Sequence, residues 1–212
     1  MKIEILTTDE KHRVNPYLHQ FKCDLVKKHS VTILRTAKEA RGGDLLFLVS
    51  CNEKVSGQVL NNFKHSMVIH ASDLPRGRGW SPHVWEIIGG AGQITLSLLD
   101  AAYEVDGGDI YKKVSIEIPR SALWSEINNL LFSAEIELMK FAIENFDNLE
   151  KTPQSRSLEA TYYKKRSPAD SKIDPYKSIS EQFNLIRVCD PDGFPAFFEF
   201  QGINYKLVLE KV

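Results

Sequence analysis

The chain is short of the features that mark exported or membrane-embedded proteins. It has three cysteines in 212 residues, Cys23, Cys51 and Cys189, with no two close together. An odd, dispersed set fits a reducing compartment better than a disulfide framework. No apolar run approaches the ~20 residues of a spanning helix. The opening residues, MKIEILTTDE, are charged and lack the apolar centre of a signal peptide. The expectation is a cytoplasmic protein with no membrane partner. An excess of one charge is also missing: 27 Lys and Arg against 28 Asp and Glu leave a formal net charge of −1. That balance argues against a nucleic-acid partner, which usually needs a basic surface. After the first strand, ILTTDEKHRVN contains neither a dinucleotide fingerprint nor a phosphate loop. The histidines and cysteines show no metal-ligand spacing, so no metal is expected. Ser72 and Ser81 stand in no nucleophile-elbow context.

What is present reads as alternating strands and helices. KIEILTT, VTIL, DLLFLVS and HSMVIH are strand candidates, the third a continuous apolar run of the kind buried on both faces of a parallel sheet. Leu18, Phe21, Leu25 and Val26 recur at helical spacing, and SPHVWEIIGG reads as a helix with Pro82 in its first turn and a glycine stop. ITLSLL and DIYKKVSIEI follow as strands. From Ser121 a long helix carries the stripe Trp124, Ile127, Leu131, Ala134, Leu138 and Phe141. This order predicts an α/β fold with a mainly parallel sheet over residues 1–150. Residues 151–212 form a polar, proline-broken extension packed on that domain, with a capping box at Ser178 and Glu181 and a terminal β-hairpin turning at Gln201-Gly202.

In open α/β sheets, ligands bind beyond the carboxyl ends of the strands. His70 ends one strand. The SCNEKVS loop, with Asn52, and the DAAYEVDGGD segment, with Asp106 and Asp109, follow two others, so three strand ends are expected to meet at one edge. A carboxylate beside a histidine raises its basicity and fixes its tautomer. Taken singly these are weak signals: a lone histidine at a strand end is more often structural, and VDGGD alone reads as a solvated turn. The basic run Lys164-Lys165-Arg166 beside Tyr162 and Tyr163 reads first as a solvated face.

Three ordered motifs change that weighting. HASDLPRGRGWSP, then VDGGDIY, then RSPADSKID with NLIRVCDPDGFPAFFEF, together resemble the N10-formyltetrahydrofolate-dependent formyltransferases. The likeness runs from about Leu45 to Phe200, and it is closest to the branch holding the methionyl-tRNA and amino-sugar enzymes. The resemblance implies a Rossmann-like formyltransferase fold and direct formyl transfer from N10-formyltetrahydrofolate to an amine. It implies catalytic roles for His70 and Asp106. It also implies a folate pocket along Cys51, Asn52, Val55, Leu99, Ala101, Val105 and Asp106. Where the family carries an oxyanion-binding asparagine two residues before the histidine, this chain has Val68. Asn52, after the neighbouring strand, is the candidate replacement.

The acceptor is reached by elimination. Only 35 residues follow Lys177 in the 212-residue sequence, too few for the nucleic-acid-binding barrel of methionyl-tRNA formyltransferases, and the balanced charge also disfavours tRNA. The glycine-serine phosphate loop of glycinamide ribonucleotide formyltransferases has no counterpart after the first strand. A nucleotide-linked deoxyamino sugar for bacterial surface glycans remains, with Ser72, Arg76, Arg78 and Trp80 as substrate-binding candidates. The alternatives are a methionyl-tRNA or peptide-tailoring enzyme, or a folate-binding homologue without activity. The hairpin is either a homodimer edge or a cover for the sheet.

Overall fold

The computed structural model describes residues 1–102 and 104–212. Its elements run β1 (Lys2–Leu6), α1 (Asn15–Leu25), β2 (Ser30–Leu34), β3 (Gly43–Leu48), α2 (Gly57–Leu60), β4 (Phe63–His70), β5 (Arg78–Gly79), α3 (Pro82–Ile88), β6 (Gln93–Asp100), β7 (Ile110–Glu117), α4 (Trp124–Glu144), β8 (Tyr162–Tyr163), α5 (Ile179–Arg187), β9 (Ala196–Phe200) and β10 (Ile203–Leu207). Six strands form the central sheet in the order β2-β1-β3-β4-β6-β7. The first four are mutually parallel. The result is an α/β fold with a mainly parallel sheet, as the alternation of elements predicts.

The two faces of the sheet are covered differently. Side chains alternate along a strand, so Ile3, Ile5, Phe47, Met67 and Ile69 pack on one face beneath Leu18 and Phe21 of α1 and Leu131 and Leu138 of α4. Leu6, Leu34, Leu46 and Leu48 face the other way. There they meet only short elements and loops, with Cys51, Val55, Val68 and Ala101 at the margin. His70 stands two residues after Val68 on β4 and therefore shares this thinly covered face.

Two expectations needed correction. β6 runs antiparallel to β4, with Met67 opposite Asp100 and His70 opposite Ser97. The third strand end therefore points away from His70, and the segment after Asp100 has to double back. Alternating hydrophobicity carries no direction, so this reversal was not readable. The long helix begins at Trp124 instead of Ser121, because Ala122 closes a turn onto the Pro119 carbonyl and the Leu123 N–H donates to Glu126. Its buried face is also wider than the expected stripe and includes Phe132, Glu135, Met139 and Ala142.

The local capping and turn chemistry matches the sequence. The Ser178 N–H donates to Glu181 Oε2 at 2.9 Å, and the Glu181 N–H returns to Ser178 Oγ at 3.3 Å. Gln201 and Gly202 both take the left-handed conformation, with φ of 51° and 79°, as a two-residue hairpin turn requires.

Candidate active site

His70 ends β4 with its ring almost wholly enclosed; the residue is 8% exposed. Its Nε2 lies 2.8 Å from the Gly77 carbonyl. A carbonyl has no proton to give, so Nε2 carries the hydrogen. The other ring nitrogen, Nδ1, stands 3.5 Å from Asp106 Oδ1. The Gly79 N–H donates to Asp106 Oδ2 at 2.9 Å. Histidine and carboxylate thus form a buried dyad, each held by a backbone group of the 77–79 segment.

The sequence places Asp106 by unusual backbone. Asp106 has φ of +56°, a conformation that Asp tolerates better than most residues. At Gly108 an added Cβ would lie 1.9 Å from the Asp100 carbonyl oxygen, so only glycine fits. The VDGGD turn, which alone looks solvated, is in fact folded inward, with Asp106 only 9% exposed.

A second layer holds the dyad from the distant tail. β5 pairs in parallel with β8, Arg78 opposite Tyr162 and Gly79 opposite Tyr163. The Gly77 N–H donates to Thr161 Oγ1 at 2.8 Å, and Arg78 N–H to the Thr161 carbonyl at 2.8 Å. The Arg78 guanidinium pairs with Glu104. It also donates to Tyr162 Oη at 3.1 Å and to Gln154 Oε1 at 2.9 Å. Gln154 in turn donates to the carbonyls of Asp106 and Gly108 at 2.7 and 2.8 Å. Arg78, a substrate-binding candidate on sequence, is buried and committed to holding this loop. Glu104, Gln154 and Thr161 had no sequence signal beyond the β-prone run TYY at 161–163.

The remaining candidates divide. Cys51, Val55 and Ala101 join Val68 in one apolar patch, and Leu99 sits opposite Val68 across the β4–β6 ladder. Burial pushes the Cys51 thiol up, which suits packing and not nucleophilic chemistry. Asn52 and Val105 are exposed. The Asn52 N–H donates to Thr8 Oγ1 at 2.9 Å, and among the described residues its side chain has no hydrogen bond to His70 or Asp106. Arg76 is exposed and makes no ion pair among the described residues. Trp80 is exposed as well, with Lys165 Nζ 4.5 Å above its ring. Ser72 is fully buried, and among the described residues its hydroxyl has no partner. Trp85 stacks on Tyr163 at 6.3 Å. His83 is held neutral by burial, which lowers its pKa to about 4 with further lowering from His70, His12 and Arg166. A cavity of about 300 Å³, lined in part by Leu60, Ser66, Ala101 and Tyr111, adjoins the patch where β6 stops pairing with β4. Among the described residues no three His, Cys, Asp or Glu side chains could hold a metal ion.

The geometry yields a first expected outcome at Gly79. Its φ is +95°, and an added Cβ would lie 2.4 Å from the Tyr163 carbonyl oxygen. Gly79→Ala should part β5 from β8 and pull the backbone donor off Asp106. A melting experiment should show a loss of about 1–3 kcal/mol, the cost of one strained backbone position, with activity falling in parallel.

Comparison with known proteins gives the site its context. The methionyl-tRNA formyltransferase of Clostridium beijerinckii is 30% identical over 152 residues, covering 70% of this chain and 48% of that protein. The chain spans about half the length of the curated relatives it matches, 48–53%. A 4-N formyltransferase from Francisella tularensis superposes with a TM-score of 0.75 at 18% identity, covering 100% of this chain and 98% of that one. HypX from Aquifex aeolicus, solved in complex with tetrahydrofolic acid, superposes with a TM-score of 0.80 at 21% identity over 96% of this chain and 36% of that one. These two likenesses show a shared fold. The formyl transferase family profile matches residues 3–143, a span that holds both members of the dyad, and the chain belongs to that family.

Proposed function

We propose that the protein transfers a formyl group from N10-formyltetrahydrofolate to a primary amine on a nucleotide-linked deoxyamino sugar destined for surface glycans. The observation that carries this reading is the buried His70–Asp106 dyad standing beside the apolar patch of Val68, Leu99 and Ala101. A folate ring needs a mostly apolar slot with a few polar anchors. The patch supplies the former, and the backbone of the loops after β3 and β6 supplies the latter.

In this mechanism the amine nitrogen attacks the formyl carbon, and charge develops on the formyl oxygen. A proton of the attacking nitrogen then passes through the His70–Asp106 pair to the folate N10 as the carbon–nitrogen bond breaks. Such proton transfers typically contribute 10²–10⁴-fold in rate. Val68 has no donor to offer the developing oxyanion. Asn52 is assigned that role, which requires its exposed side chain to turn inward once the folate is bound.

The sugar acceptor is favoured over tRNA by the balanced charge of the chain and by the tail motif after Arg166. Methionyl-tRNA is the second reading, because the curated relatives are methionyl-tRNA formyltransferases. The test is release of tetrahydrofolate from N10-formyltetrahydrofolate, with nucleotide-linked 3- and 4-amino sugars and methionyl-tRNA offered in parallel. Release dependent on an amino sugar supports the first reading, and release with tRNA alone replaces it. Asn52→Ala should lower the rate by about 10²-fold, the usual value of one oxyanion donor. An unchanged rate removes Asn52 from the mechanism.

A further inference from the structure

The dyad cannot perform every proton transfer that the reaction needs. An alkyl amine, with a pKa of roughly 10, enters as an ammonium ion at neutral pH and is nucleophilic only after losing a proton. Both ring nitrogens of His70 are engaged, Nε2 with the Gly77 carbonyl and Nδ1 with Asp106, and this pair is assigned the proton that passes to the folate nitrogen. A second acceptor is therefore required near His70, and the structure contains an unused one.

Glu86, on α3, is half-buried, and its carboxylate has no hydrogen bond or ion pair among the described residues. It lies against Gly77, the residue whose carbonyl holds His70 Nε2 at 2.8 Å. A Cβ added at Gly77 would meet Glu86 Oε1 at 3.3 Å and Ser72 Oγ at 3.2 Å. Two oxygen acceptors thus converge on one α-carbon, a single peptide unit from the dyad. Ser72 is fully buried, and among the described residues its hydroxyl has no partner. Such groups normally find partners within the protein. Among the described residues neither has one, and no Lys or Arg forms an ion pair with Glu86.

The charged surroundings reinforce this. Asp73 lies near Glu86, its own charge answered by Lys113. Tyr163 and the neutral His83 are the titratable neighbours from β8 and from α3 itself. Lys164 is turned to Asp170 and the Trp85 ring. From α5, Arg187 is turned to Asn184 and to the Pro119 and Ala122 carbonyls.

We infer that Glu86, with the Ser72 hydroxyl, forms the subsite that receives the acceptor's ammonium group and takes its first proton. The inference rests on the formyl-transfer reading. Burial, with Asp73 adding, raises the Glu86 carboxyl to about 7, which matches a base to neutral conditions. The protons balance. The ammonium gives one proton to Glu86, which later releases it to water. The neutral nitrogen bonds to the formyl carbon, the bond from that carbon to N10 breaks, and the nitrogen's second proton passes through the His70–Asp106 pair to N10.

The test uses Glu86→Gln, which keeps the shape, and Glu86→Asp, which moves the carboxylate. At pH 7 the Gln variant should lose about 10²-fold in kcat/KM for the amine, and the deficit should shrink as pH rises towards the amine's own pKa. Glu86→Asp should recover part of the rate. The Gln variant should melt no lower than wild type at pH 8, since it removes an unpartnered carboxylate. Wild-type kcat/KM at pH 7, or a deficit independent of pH, overturns the inference. A second arm needs no turnover: the Glu86 carboxyl carbon, followed by NMR, should titrate near neutrality, and saturating methylammonium should move its midpoint to lower pH. If methylammonium leaves it unmoved, the subsite is wrong even in an active enzyme. If wild type formylates no amine, the proposed function fails, and the NMR arm alone decides the subsite.

Discussion

Asp106→Asn should cut formyl transfer by about 10³-fold, within the range expected for one acid–base group, while the protein stays folded and still binds the folate. The asparagine oxygen keeps the Gly79 N–H bond that Asp106 Oδ2 makes at 2.9 Å, and its amide donates to His70 Nδ1. Every hydrogen bond survives, but the amide cannot take up or relay a proton as the carboxylate can. His70→Asn removes the ring from the end of β4 and should lose at least as much. The measurement is single-turnover release of tetrahydrofolate across pH. An Asp106→Asn rate near wild type would mean that the carboxylate of the dyad plays no part in the reaction.

A large effect on stability is expected at Glu135. It lies on the buried face of α4, only 6% exposed, and among the described residues its Oε2 has no partner. Burial alone raises its carboxyl from 4.5 to about 8. The folded-state pKa is above the unfolded one, so folding is favoured when the group is protonated. No penalty exists below pH 4.5; it grows between 4.5 and about 8, then levels off. By pH 7 the cost is about 3 kcal/mol, at about 1.4 kcal/mol per pH unit. Glu135→Met should therefore raise the melting temperature at pH 7 by roughly 6–12 °C, taking about 2–4 °C per kcal/mol for a chain of this size. At pH 4 the gain should nearly vanish. An equal gain at both pH values would point to better packing instead of relief of a buried charge.

Much of the fold was legible because its signals are local. The apolar run of β3, the helical stripe through Ile127, Leu131, Ala134 and Leu138, the Ser178–Glu181 cap and the Gln201-Gly202 turn each depend on residues within a few positions of one another. His70 and Asp106 could be singled out from ordered motifs, although neither carries weight alone. The commitment of Arg78 was not legible, because its partners Glu104, Tyr162 and Gln154 lie 26, 84 and 76 residues away. Glu135 is equally hidden, since a glutamate inside a helical pattern looks like any exposed one until the helix is packed.

The sequence by itself determined the α/β layering, the end of β4 at His70, and the family motifs around both members of the dyad. These follow from hydrophobic period, turn chemistry and residue order, which are properties of near neighbours in the chain. Only the tertiary structure decided that β6 runs antiparallel, that residues 152–163 fold back as a clamp, and that Asp106 turns back to meet His70. It alone brought Glu86 and Ser72 to Gly77. Direction and long-range pairing are settled by which distant backbone groups satisfy one another once water is excluded.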